Sequence, residues 1–197
     1  LCTDPEMVAK AYAAGVPMGG ELEASETSPG FLVSAAKDPG SPGNPGLDLQ
    51  RLQIIKGWLD ADGVTHERVF DIAGTPDNGA GVDPQSCAPT GRGHKNLCTV
   101  WRDPQYNGQE SAFYYVRVLE NPSCRWSTLQ CQAAGVNPFA ENCAEQATQQ
   151  TAKFQDDGAI GDVFGRCCLD AAKEPFYSPT IQERAWTSPI WINASKE

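Results

Sequence analysis

Positive charge is scarce in this chain: 15 Lys and Arg stand against 25 Asp and Glu, a formal net charge of −10 at pH 7. Nucleic-acid binders gain most of their affinity by neutralising phosphates with Lys and Arg, so a polyanion partner is disfavoured, and an anionic membrane surface with it. No run of basic residues appears, and no apolar run approaches the roughly 20 residues of a spanning helix. Only two histidines are present, His66 and His94, neither with a metal-ligand neighbour at helix or knuckle spacing. They read as a solvent-facing strand residue and a loop residue. The paired CxxC or CxxH knuckles of a zinc site are missing, and so is the GxSxG elbow of a serine hydrolase. The glycine-rich run at residues 15–20 follows no strand and precedes no Lys-Ser/Thr, which argues against a phosphate loop. No repeat of solenoid length is visible.

Turn formers and cysteines are what the chain has in quantity. Its 19 glycines and 15 prolines among 197 residues suit short strands joined by long turns and do not suit a helical bundle. The length suffices to bury roughly 70% of the unfolded surface around one core. Eight cysteines, Cys2, Cys87, Cys98, Cys124, Cys131, Cys143, Cys167 and Cys168, are many for a reducing compartment and predict disulfides in a periplasmic or secreted protein. A bridge within the adjacent pair Cys167-Cys168 would strain its peptide, so these two are expected to join different partners. Local pairs, Cys87 with Cys98 and Cys131 with Cys143, are the first guesses among about 105 possible pairings. The chain opens at Leu1 without a basic and apolar leader, and is expected to be a piece of something longer.

The organising stretch is AFYYVRVLENPSCRWST, residues 112–128. Phe113, Tyr115, Arg117 and Leu119 fall on one face of a strand and Tyr114, Val116, Val118 and Glu120 on the other, so both faces are largely covered and a central strand is predicted. Asn121-Pro122-Ser123 stops it. A second segment, residues 183–192, is expected to meet it in the fold. Thr3-Asp4-Pro5-Glu6 reads as a capping box opening a helix to about Tyr12, with Val8, Ala11 and Tyr12 buried and Gly15 as its stop. Residues 31–37 form a short strand, and residues 38–46 (DPGSPGNPG) an exposed loop. Residues 50–59 and 65–73 read as a hairpin whose Asp62-Gly63 supplies the positive φ of the turn. Residues 74–96 form a disulfide-pinned loop, residues 97–102 a strand, residues 144–154 a helix within an irregular cross-linked region, and residues 185–192 the last strand. The sum is a mainly β fold, an immunoglobulin-like or jelly-roll-like β-sandwich with one or two short helices, as a single domain over residues 1–197.

Candidate sites are few, and no catalytic residue is assigned. Asp77, Asn78 and Asp83 offer the oxygen donors calcium uses, although no EF-hand spacing supports them. Trp58, Trp101, Trp126, Trp186 and Trp191 are read as core residues lying under arginines such as Arg125 and Arg184. The competing reading is an exposed aromatic platform for glycans. Asn193-Ala194-Ser195 is a glycosylation sequon, relevant only in a eukaryotic secretory pathway.

The segments GVPMGGEL, LQRLQIIKGWLDADGVTHERVFDIAG, AFYYVRVLENPSCRWST and TIQERAWTSPIWI resemble the C-terminal part of a bacterial family of unknown function, number 3604, over Leu1 to Ile192. The resemblance implies an exported parent related to the PHP (polymerase and histidinol phosphatase) metallohydrolases, whose His and Asp metal ligands belong to an N-terminal barrel. None of those motifs occurs here, so no catalytic or metal-binding residue carries over and no cofactor is expected in this chain. A divalent metal would belong to the parent's module. The implied role is a non-catalytic sandwich bracing or covering the hydrolase module, with Met18, Gly19 and Gly20 as the loop nearest to it. A strand that precedes the GVPMGG region in the family is missing, which would leave a sheet edge unpaired and favour either pairing with a second copy of the chain or flexible residues at Leu1 to Cys2.

Overall fold

The computed structural model describes residues 2–194. In chain order the elements are α1 (Met7–Ala14), β1 (Glu21–Glu23), β2 (Phe31–Ala36), β3 (Leu49–Leu59), β4 (Thr65–Gly74), β5 (Gly81–Val82), β6 (Pro89–Thr90) and β7 (Asn96–Trp101). There follow β8 (Ala112–Glu120), β9 (Ser123–Cys124), α2 (Trp126–Ala133), α3 (Cys143–Asp156), a 3-10 turn at Gly165–Cys168, β10 (Thr180–Ile181), β11 (Arg184–Trp186) and β12 (Ile190–Asn193). The protein is mainly β. It divides into two compact units, one of Leu1–Asn78, Arg92–Glu120 and Arg184–Glu197, the other of Gly79–Gly91 and Asn121–Glu183. The second unit is made of two excursions of the chain, which is why no linker marks it in the sequence.

The first unit is built on a sheet of order β1-β12-β8-β3-β4, with β11 also paired to β8. The organising strand is therefore central, and β11 and β12 of the C-terminal segment both pair with it antiparallel. On one face Leu52, Ile54, Lys56 and Trp58 stand beside Val118, Val116, Tyr114 and Ala112. A separate β2-β7 ribbon supplies Phe31, Val33 and Leu97 to the same buried cluster, with the Phe31 ring 4.7 Å from that of Tyr114. Burial of side chains such as Leu52, Ile54 and Ile192, all at 0–1% exposure, stabilises by roughly 1.5–3 kcal/mol each. The predicted hairpin is present, with Gly63 at φ 77° and the Asp60 carboxylate accepting from the Asp62 and Val64 amides at 3.0 and 2.9 Å. A polar group is buried under the ribbon. Lys56 Nζ donates to Asp103 Oδ2 at 2.7 Å and to the Gln105 carbonyl at 2.9 Å, and the Tyr114 hydroxyl donates to the same Asp103 oxygen at 2.8 Å.

Within the second unit, α2 and α3 are tied to the 3-10 turn by Cys131–Cys167 and Cys143–Cys168 around Val136 and Ala147. Cys87–Cys124 also lies in this unit, and Cys2–Cys98 in the first. All eight cysteines are bonded. Cys167 and Cys168 do take different partners, but the local pairs Cys87–Cys98 and Cys131–Cys143 are not formed, because strand pairing and helix packing bring other sulfurs together. Among the described residues no helix is long and apolar enough to cross a membrane.

Other expectations change as well. The first helix begins at Met7, not at Thr3: Asp4 Oδ1 accepts from the Glu6 amide at 2.8 Å, and this local turn displaces the Thr3 capping box. No residue of α1 is buried; Val8 and Tyr12 are 61% and 65% exposed. Helix α2 occupies a stretch expected to be irregular. The last strand is two pieces, broken at Ser188-Pro189, where proline has no amide to give the ladder. Thr187 bridges the break: its amide donates to the Val116 carbonyl and its hydroxyl accepts from the Val116 amide, both at 3.0 Å. Leu1 and the Ser195 of the sequon lie outside the described residues.

Candidate functional site

The other face of the large sheet carries the distinctive side chains. Register places Trp191, Phe113, Gly57 and Glu67 in one row across four strands, with Tyr115, Ile55 and Val69 in the next and Trp186 beside Arg117 beyond it. Gly57 is required here by close approach. A Cβ at this position would sit 2.3 Å from Phe113 Cζ, so the missing side chain lets the phenyl ring lie flat on the strand. The Phe113 centroid is 5.2 Å from that of Trp191 at 52° and 6.3 Å from that of Tyr115 at 14°. Trp191 remains 46% exposed and Trp186 58%.

The far end of this face is polar. Arg117 Nε donates to Gln53 Oε1 and Gln53 Nε2 to Asp71 Oδ1, each at 2.8 Å, while Arg51 Nε lies 3.1 Å from the same Asp71 oxygen. The hairpin end instead forms an open groove of about 490 Å³, within the roughly 300–1,000 Å³ span of small-molecule sites. Gly57, Leu59, Glu67, Phe113, Trp191 and Asn193 line it. The adjoining turn is held rigid: His66 Nε2 meets Asp60 Oδ2 at 2.7 Å, and the imidazole stacks on Trp58 at 5.1 Å and 20°. The His66 contact, followed by the Val64 amide, holds the Asp60 carboxyl below the ordinary carboxylate range.

The loop carrying Met18, Gly19 and Gly20 is pinned to the strand that bears Trp191. The Gly19 amide donates to the Pro189 carbonyl at 2.9 Å and the Gly20 carbonyl accepts from the Trp191 amide at 3.0 Å; Gly19 has φ 89°. Met18 is 62% exposed. Asp77 and Asp83 fall in different compact units. Asp83 is engaged by its own turn, accepting from the Gln85 amide and from the Ser86 amide and hydroxyl at 3.0, 2.7 and 2.8 Å; led by the hydroxyl, these bonds lower its pKa. No group of three or more His, Cys, Asp or Glu converges among the described residues.

Trp58 and Trp101 pack against the core as expected, and the other three tryptophans do not. Trp126, Trp186 and Trp191 are 69%, 58% and 46% exposed, and it is Lys56, not an arginine, whose Nζ sits 4.9 Å over an indole, that of Trp58. Gly57, Glu67 and Asn193 had no motif to single them out; strand register puts Gly57 and Glu67 in the row of Phe113, with Asn193 two residues beyond Trp191.

Residues 1–153 match the family described as "Protein of unknown function (DUF3604)". The chain belongs to the DUF3604 family. No curated protein and no solved structure matches it. The match to DUF3604 takes in the whole hairpin, β8 and most of α3, and stops short of β11 and β12, so Trp186 and Trp191 lie beyond the matched residues.

Proposed function

We propose that this DUF3604 chain is a non-catalytic β-sandwich module of an exported bacterial protein, bracing or covering a PHP-like metal-dependent hydrolase module on the same polypeptide. The supporting observation is the half-open aromatic face of the large sheet. Trp186, Tyr115 and Val69 offer a contact surface on a rigid scaffold, bordered by the Arg51–Asp71 pair and by Arg117 held on Gln53. An exposed apolar patch rimmed by polar residues is the usual mark of an interaction site. Four disulfides favour the periplasm or the cell exterior, and the three-residue edge strand β1 leaves an edge through which a second copy could pair. The hydrolase module, and with it any divalent metal, belongs to the longer polypeptide.

The test is enzymatic. The purified chain, assayed with phosphoester substrates in added Zn²⁺ or Mn²⁺, is expected to show no turnover. Activity that persists after trace hydrolases are removed would overturn the reading.

A second reading, an extracellular glycan- or surface-binding module, is favoured by the exposure of Trp126, Trp186 and Trp191.

A further inference from the structure

We propose that the groove at the hairpin end of the large sheet binds one unit of a neutral saccharide, with Phe113 and Trp191 as its stacking surface and Glu67 as its hydroxyl acceptor. The inference rests on the glycan-binding reading and deepens it, committing to one site and one ligand class.

A pyranose presents an apolar face of C–H groups edged by hydroxyls. Aromatic faces carry the negative part of the ring quadrupole and attract such weakly positive hydrogens. The groove supplies two rings inclined at 52°, of which Trp191 is nearly half exposed. Gly57 keeps the Phe113 ring low, so the floor stays open in place of being filled by a side chain.

Polar chemistry decides the class. Glu67 is exposed, and its carboxylate has no ion-pair or hydrogen-bond partner among the described residues. An ionised carboxylate only accepts, and its two oxygens can take two neighbouring hydroxyls. Asn193 spends its amide nitrogen on Glu21 Oε2 at 3.3 Å, which leaves its carbonyl oxygen as a further acceptor. A rim of acceptors suits a ligand rich in O–H donors. Uronate- or sulfate-bearing glycans would meet Glu67 and Glu21 inside a chain of net charge −10, and like charges suppress such partners.

Calorimetric titration of the oxidised protein with cellohexaose, maltohexaose and the hexamer of N-acetylglucosamine tests this, with polygalacturonate and the deacetylated glucosamine hexamer as charged comparisons. At least one neutral hexasaccharide is expected to bind. Trp191→Ala should weaken it at least about tenfold, the cost of losing a central aromatic anchor, and Glu67→Gln should weaken it independently, while Trp126→Ala and Trp186→Ala bind as the parent does. Near-UV circular dichroism checks that each variant folds. If no neutral oligosaccharide binds, the groove and the glycan reading fall together. If binding survives Trp191→Ala and Glu67→Gln but is lost in Trp126→Ala or Trp186→Ala, glycan binding stands and this groove is the wrong site. Tighter binding of the glucosamine hexamer or of polygalacturonate would overturn the neutral class.

Discussion

Replacing Asp103 by alanine removes the carboxylate paired with the Lys56 ammonium at 2.7 Å. The two side chains are 0% and 4% exposed, so the charge left behind cannot reach water. It would retain one carbonyl, that of Gln105, and the Trp58 ring at 4.9 Å. Breaking a buried pair from one side costs roughly 3–5 kcal/mol, because the remaining ion is desolvated without compensation. In a protein of this size about 2–4 °C of Tm follows each kcal/mol, so Asp103→Ala should unfold roughly 6–20 °C below the parent. Tyr114→Phe deletes only one of the hydrogen bonds that Asp103 accepts, a loss of roughly 1.5–3 kcal/mol for a bond to a charged group. The paired change Lys56→Met with Asp103→Asn removes both charges with little change in volume and should return most of the loss, giving a positive coupling in a double-mutant cycle. Thermal unfolding under non-reducing conditions, followed in the near-UV, provides the assay. An Asp103→Ala protein within about 1 kcal/mol of the parent would refute the reasoning.

Alkali should weaken the same region. Burial, then the Asp103 carboxylate, raise the Tyr114 pKa far above its ordinary value of 10.0. Above about pH 10 the unfolded chain therefore releases a proton that the folded chain retains, and stability falls as pH rises. Tyr114→Phe is expected to flatten that part of the stability profile, and an unchanged slope would count against the assignment. Non-reducing peptide mapping should recover Cys131 with Cys167 and Cys143 with Cys168. Changing Cys143 and Cys168 together to alanine opens a loop of sequence separation 25 and should cost roughly 3–4 kcal/mol; recovery of a Cys131–Cys143 peptide would contradict the arrangement.

The parts of the fold legible in the sequence are those set by local rules. Alternation over residues 112–120 marks a central strand, and it is central; the cover expected on both faces is found on one, since Phe113 and Tyr115 lie on a half-open face. The Asp62-Gly63 pair fixes the hairpin turn and with it the register of β3 on β4. Where the outcome depends on distant partners, local rules fail. Helix α2 buries only Thr128, whose hydroxyl donates to the Pro179 carbonyl at 2.7 Å, so no apolar periodicity announces it. Disulfide partners are chosen by packing, not by spacing. Residue type suggests a core place for every tryptophan, and Trp58 and Trp101 do pack against the core, yet Trp186 and Trp191 stand 58% and 46% exposed on a half-open face. The groove has the same origin: Gly57 and Glu67 face each other across the hairpin, but Phe113 and Asn193 are far away in sequence, and only the order of strands brings them there.

Oxidative footprinting of the Trp186 indole is the most direct test of the bracing role, comparing the isolated chain with the longer polypeptide proposed above. With the side chain 58% exposed in the chain alone, the account predicts ready modification there and several-fold protection in the longer polypeptide, reported alongside Tyr115. Equal rates of Trp186 modification in the two proteins would contradict it.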